Sequence, residues 1–183
     1  MTERKLVQHC APTLAGIKTG NIFRCPFTSY VELYGELRAL NARLAPKGLR
    51  IIPLRVCGGY AMIYVYRPNR LRADLAGEDA RAILDEFGYS DDVPERCINH
   101  LRSRLARLGD FPHEIGLFLG YPPEDVRGFI ENGAKNEKLV GCWKVYGDVE
   151  KAKKSFERFA RCSRLYAEKY AAGSTVEHLT IAG

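Results

Sequence analysis

Apolar residues recur along the chain with two different periods, and the switches between them mark the elements. Tyr30, Leu33, Tyr34, Leu37, Leu40, Asn41 and Leu44 share one face at helical spacing. Thr28 and Ser29 stand before this run, and Glu32 completes a capping box with Ser29. Pro46 and Gly48 close it. The same period predicts helices over 69–75, 78–87 and 123–130. A further helix is predicted over 94–108, capped by Asp91-Asp92 and packed through Ile98, Leu101, Leu105 and Leu108. The longest, 149–171, has Val149, Ala152, Phe156, Phe159, Tyr166 and Tyr170 as its expected buried stripe. Residues 1–9 read as a short helix or lead-in. Pro12, Gly16 and Gly20 predict an irregular connection after it.

Strand signals are fewer. Residues 49–56 and 60–66 are rich in β-branched and aromatic side chains, and Gly58-Gly59 between them predicts a hairpin. Pro53 has no N–H for a ladder, so its strand is expected at an edge or bulged there. Ile22-Phe23 starts a short strand ended by Pro26. The apolar run Ile115–Leu119, stopped by Gly120 and followed by a helix start at Pro122-Pro123, reads as a buried strand with His113-Glu114 at its mouth. Residues 138–146 read as another strand, and 175–181 as a final strand or a loose tail. A hairpin followed by helices breaks the regular alternation of a doubly wound fold. The expected class is therefore α/β (α+β mixed): a single globular domain over 1–183, with a mixed sheet of about four to six strands and helices packed on it.

Composition adds constraints. The 183 residues are 46% hydrophobic and 27% charged, the profile of an ordinary globular protein. No apolar run is long enough for a transmembrane helix, and the N-terminus lacks signal-peptide features, so a cytoplasmic location is expected. The net charge of +6 favours acidic partners. Little besides charge points to nucleic acid, which is not the expected partner. The six cysteines form no C-x-x-C pair and no zinc-finger spacing, so reduced thiols are expected.

Four stretches carry candidate chemistry. Gly16-Ile-Lys-Thr-Gly20 looks like a phosphate loop but fails the Walker pattern. Lys18 there is either an anion contact or part of a plain connection. His9-Cys10 is either a thiolate activated by an imidazole, able to ligate iron, or a buried cysteine beside a surface histidine. His113-Glu114 is either an acid–base or metal-ligand pair or a structural cap; no H-E-x-x-H follows it. Tyr60, Tyr64 and Tyr66 share a strand face that packs the core or walls an aromatic ligand.

The motifs His9-Cys-Ala-Pro-Thr-Leu-Ala-Gly-Ile-Lys18, Leu44-Ala-Pro-Lys-Gly48, Ile63-Tyr-Val-Tyr-Arg-Pro68, Phe111-Pro-His-Glu-Ile-Gly-Leu-Phe-Leu-Gly-Tyr-Pro-Pro-Glu-Asp-Val126 and Cys142-Trp-Lys-Val-Tyr146 resemble a bacterial family catalogued as domain of unknown function 3793. The resemblance runs from about residue 7 to 170. It implies a cytoplasmic protein of anaerobes, encoded near flavodoxins and iron-handling genes, and hence redox or iron-linked work. Mapped onto the motifs, the site residues would be His9, Cys10, Thr13, Lys18, His113 and Glu114. The resulting expectation is a pocket with His9, Cys10 and His113 that binds haem, iron or flavin, walled in part by Tyr64. Cys10 would be ligand or nucleophile; His113 would be second ligand or acid–base group, oriented by Glu114. The competing expectation is a non-catalytic basic adaptor that docks an acidic protein such as a flavodoxin, or RNA.

Overall fold

Leu6, Val7, Cys10, Ala11 and Leu14 lie on one side of a helix. In the computed structural model, which describes residues 3–90, 93–107 and 111–183, they are buried along α1 (Glu3–Leu14). The helix therefore continues well past residue 9, with Pro12 in its last turn. Pro12 removes one backbone donor near the helix end, where few bonds remain to be lost. The stop comes at Gly16 (φ 70°): Ile17 N–H donates to Pro12 O at 2.9 Å and Gly16 N–H to Thr13 O at 3.1 Å, a Schellman closure. Asp91-Asp92, Leu108 and Asp110 lie outside the described residues.

The chain divides into two units, Met1–Asn69 with Arg161–Gly183, and Arg70–Ala160. The first holds α1, β1 (Gly20–Pro26), α2 (Tyr30–Leu44), β2 (Arg50–Cys57) and β3 (Tyr60–Tyr66). The strands form an antiparallel sheet in the order β1-β3-β2. Both edge and bulge are found at Pro53: β2 is an edge strand, and its register with β3 shifts between Pro53 and Arg55. One sheet face, with Phe23, Cys25, Ile51, Ala61, Ile63 and Val65, joins the buried stripes of α1 and α2 in one core. Leu33, Leu37, Leu40 and Leu44 of α2 are each buried, which contributes roughly 2 kcal/mol per side chain. Tyr30 and Tyr34, on the expected apolar face, stay exposed. Ser29 Oγ caps α2 by accepting from Glu32 N–H.

Two polar side chains tie this unit together. Asn41 Nδ2 donates to Leu37 O at 2.9 Å and Ile51 O at 2.7 Å, while its Oδ1 accepts from Ile51 N–H at 2.9 Å. The buried Arg67 donates to Thr13 O (2.7 Å), Leu14 O (2.6 Å) and Ile181 O (2.7 Å). It thereby satisfies carbonyls that the end of α1 leaves open. Residues 175–181 do not add a strand. Thr175 caps the short helix α9 (Val176–Leu179), which buries Val176 and Leu179 in the core.

The second unit is mostly helical: α3 (Pro68–Leu75), which begins at the boundary, then α4 (Glu78–Glu86), α5 (Pro94–Arg107), α6 (Ile115–Phe118) and α7 (Pro123–Glu131). Two short antiparallel strands follow, β4 (Leu139–Val140) and β5 (Lys144–Val145). The helix α8 (Val149–Ala171) is divided between the units. Its expected stripe is only half-buried apart from Ala152. The class is thus mixed α and β, but the expected mixed sheet of four to six strands is replaced by a three-stranded and a two-stranded sheet, both antiparallel. Two expected strands account for the shortfall. Ile115–Phe118 is a helical turn, because a run buried on all sides carries no period to distinguish strand from helix. Residues 138–146 fold back at Gly141-Cys142, so one strand becomes a small hairpin. Among the described residues no helix is long and apolar enough to cross a membrane.

Candidate functional site

The first unit holds His9, Cys10, Thr13, Lys18 and Tyr64. Because His9 and Cys10 are neighbours on a regular helix, they point in different directions. His9 is exposed and stacks on Phe23 at 5.2 Å, whereas Cys10 is fully buried among the core side chains. Burial pushes the Cys10 thiol far up, and nearby Lys18 only partly opposes this. Such a thiol stays protonated at neutral pH. Thr13 is buried and donates to Asn21 Oδ1 at 2.7 Å. Lys18 is buried too, and its ammonium donates to Gly20 O in its own loop. Tyr64 is buried and stacks on Tyr66 at 4.7 Å. Cys10 belongs to the first unit's hydrophobic core, and Thr13 and Lys18 hydrogen-bond within the same unit.

His113 and Glu114 belong to the second unit. They stand in the turn that starts α6, where Gly116 N–H donates to His113 O and Leu117 N–H to Glu114 O. As adjacent residues of a tight turn, they diverge. Glu114 goes inward and is fully buried; Arg104 Nε donates to its Oε1 at 2.5 Å and the Tyr89 hydroxyl at 3.0 Å. Burial, and then the Glu114 charge, push the Tyr89 hydroxyl well above its ordinary value, so it remains a donor. Glu114 therefore anchors the turn instead of orienting the imidazole beside it. His113 goes outward, is exposed, and meets the Phe129 ring edge-on at 5.0 Å.

That outward side opens on a pocket of about 330 Å³. Phe111, His113, Leu119, Phe129, Val140 and Trp143 are among its walls. Trp143 is the most constrained of them. Tyr121 stacks on it at 5.0 Å, and Phe156 meets it edge-on at 4.5 Å. Its indole Nε1 donates to Asp125 Oδ2 at 2.7 Å. The other oxygen, Asp125 Oδ1, accepts from Tyr146 N–H and Gly147 N–H, both at 2.7 Å. One buried carboxylate thus fixes the indole and the chain leaving the β4–β5 hairpin. Lys144, also in the lining, is committed to Ala134 O at 2.6 Å and Glu137 Oε1 at 3.0 Å. Burial pushes the Tyr121 hydroxyl up to about 12; it donates to Cys142 O at 3.2 Å. With Lys144, Asp125 and Tyr121 engaged in this way, the rest of the lining is largely apolar.

Two small residues make room for these walls. A Cβ on Gly116 would meet Val126 Cγ2 at 2.8 Å, and one on Gly141 would meet the Phe156 ring at 2.1 Å. Of the residues lining this pocket, sequence reasoning had singled out His113 but not Asp125, Phe129 or Trp143. Asp125 reads as a first-turn helix acid, and that role hid its use as a hydrogen-bond hub. The one available signal was Cys142-Trp143-Lys144, where a lone tryptophan sits in a short polar–apolar stretch.

A probable tRNA pseudouridine synthase D of Thermococcus gammatolerans is 32% identical over 84 residues, 46% of this chain and 18% of that protein. The chain therefore spans less than a fifth of that relative's length. No solved structure matches the chain. The family described as protein of unknown function (DUF3793) matches residues 6–180, nearly the whole chain and every stretch that forms the pocket, and the chain belongs to that family.

Proposed function

We propose that the protein is a cytoplasmic, redox- or iron-linked binding protein, and that its ligand is a planar ring system, a flavin or a haem, held in the second unit's pocket beside His113. The aromatic-walled pocket carries this reading. Its apolar lining suits a flat ring, and His113 supplies an exposed imidazole at the wall. An imidazole there is an axial ligand for haem or a proton donor to a flavin ring. Bare iron is less well served. Among the described residues no group of three or more His, Cys, Asp or Glu is placed to hold a metal ion. Cys10, as a buried and protonated thiol, is not needed for this reading.

The chain's single tryptophan lines the pocket, so its emission is a local reporter. Anaerobic titration with FMN, riboflavin or haem is expected to quench Trp143 and shift the ligand's visible spectrum. Phe129→Ala should weaken binding in either case. Loss of the Soret shift on His113→Ala selects haem; an unchanged flavin spectrum on the same substitution selects stacking alone. Absence of any spectral change with all three ligands refutes the reading.

The exposed Lys151, Lys154 and Arg158 of α8 favour a second reading, docking of an acidic redox protein such as a flavodoxin. It predicts binding that weakens steeply with salt and with charge reversal at Lys154.

A further inference from the structure

In the first unit, the sheet face opposite the core carries a chemistry that the pocket does not use. Side chains alternate along each strand, so the register fixes which of them share this face. One cross-strand row is Arg24–Met62–Arg55, and the next is Pro26–Tyr60–Cys57. Arg24, Arg55 and Tyr60 are exposed, and Met62 is half-buried. Adjacent strands lie about 4.8 Å apart, so the two arginine backbones are separated by roughly 10 Å across Met62. The Arg24 guanidinium lies over the Tyr60 ring, 4.5 Å from its centroid, and the ring remains 45% exposed. Neither arginine is paired with a carboxylate among the described residues.

We infer that this end of the sheet binds single-stranded RNA. Two guanidinium groups with no carboxylate partner among the described residues call for a polyanion. The tyrosine between them, with an arginine plane and a thioether beside it, calls for flat rings as well. An acidic peptide supplies the charge but not the rings. A duplex supplies both, but its bases are stacked away from a protein surface. A single strand offers phosphates to Arg24 and Arg55 and an unstacked base to Tyr60 and Met62, the combination by which sheet surfaces hold single strands. RNA is the occupant assigned here, and the matching DNA strand is the comparison in the test. This inference is independent of the pocket reading, since no residue is shared.

The test is fluorescence anisotropy of the full chain with a labelled oligouridylate, across a salt series. Binding at low salt is expected. Tyr60→Leu should weaken it by at least about 5-fold, the lower end of the loss of one base–aromatic stack. The double variant Arg24→Ser/Arg55→Ser should lower the slope of log affinity against log salt by about 1.4, the share of two phosphate contacts on a single strand. All three side chains are solvent-facing, and circular dichroism checks that each variant folds. Four results would overturn the assignment. These are no binding at low salt, equal competition by polyglutamate, equal affinity for the matching DNA strand, or a loss confined to Lys151→Ser/Lys154→Ser on α8.

Discussion

Replacing Asp125 by Asn keeps size and shape but removes the charge and one acceptor. The carboxylate receives three hydrogen bonds, two from Tyr146 and Gly147 N–H on Oδ1 and one from the Trp143 indole on Oδ2. An asparagine amide must turn its NH₂ towards one of these sites, where it meets a donor. The cheaper orientation keeps the two backbone N–H groups on the amide oxygen and gives up the indole. Losing one charge-assisted bond costs about 1.5–3 kcal/mol, and the two retained bonds fall to the neutral range of about 1 kcal/mol each. The total is about 2.5–7 kcal/mol, a large part of a domain's usual 5–15 kcal/mol. Urea unfolding read by circular dichroism gives the energy, and Trp143 emission gives the location. Native Asp125→Asn should emit at longer wavelength than wild type, because the indole is released from its slot. Asp125→Ala should cost more, since all three donors lose their partner. A loss below about 0.5 kcal/mol for Asp125→Asn, with unshifted emission, would show that the carboxylate does not hold the pocket wall.

Arg67→Lys keeps the charge but cannot fork to Thr13, Leu14 and Ile181 carbonyls together, and a loss of about 2–3 kcal/mol in thermal or urea unfolding is expected. The hydrogen bond from Arg43 holds the Glu177 carboxyl down to about 2. Its folded value is below its unfolded value of about 4.3, so its contribution is present above that pH and fades as pH falls towards about 2. An acid titration of stability should therefore be flatter in Glu177→Gln over that window than in wild type. Native protein should be alkylated quickly at the exposed Cys57 and Cys142, with Cys10 labelled only after unfolding; fast labelling of Cys10 by peptide mapping would contradict its burial. Gly128→Ala would bring a Cβ to 2.4 Å from Tyr146 Cβ, and the strain should cost about 1–3 kcal/mol.

The helices were legible because most of them are amphipathic. The Leu33–Leu37–Leu40–Leu44 stripe and the Ser29 cap follow directly from spacing, as does the Gly58-Gly59 hairpin with its irregular Pro53. Elements without an apolar period were not legible. Ile115–Phe118 is buried on every side, and residues 138–146 reverse over three residues. Pro12 misled in the other direction, since proline near a helix end costs little when a glycine closure follows. For the site, residue type picked out His113 on the pocket wall. It also picked out Cys10, which the helix turns into the core. Asp125 and Phe129 share a face of α7 at i,i+4, but Trp143 of the β4–β5 hairpin joins them only through tertiary contacts, which no local pattern could show.

The position of β2 at the edge of its sheet has a further consequence. An edge strand offers unpaired N–H and C=O groups to any passing chain, which is how sheets add foreign strands and grow into fibrils. Here the Asn41 amide occupies both groups of Ile51, much as a neighbouring strand would. Two residues on, Pro53 has no N–H to offer, and the bulge before Arg55 bends the strand out of register. A side chain from α2 thus acts as a one-residue surrogate strand, and together with the proline and the bulge it makes this edge a poorer template for another strand.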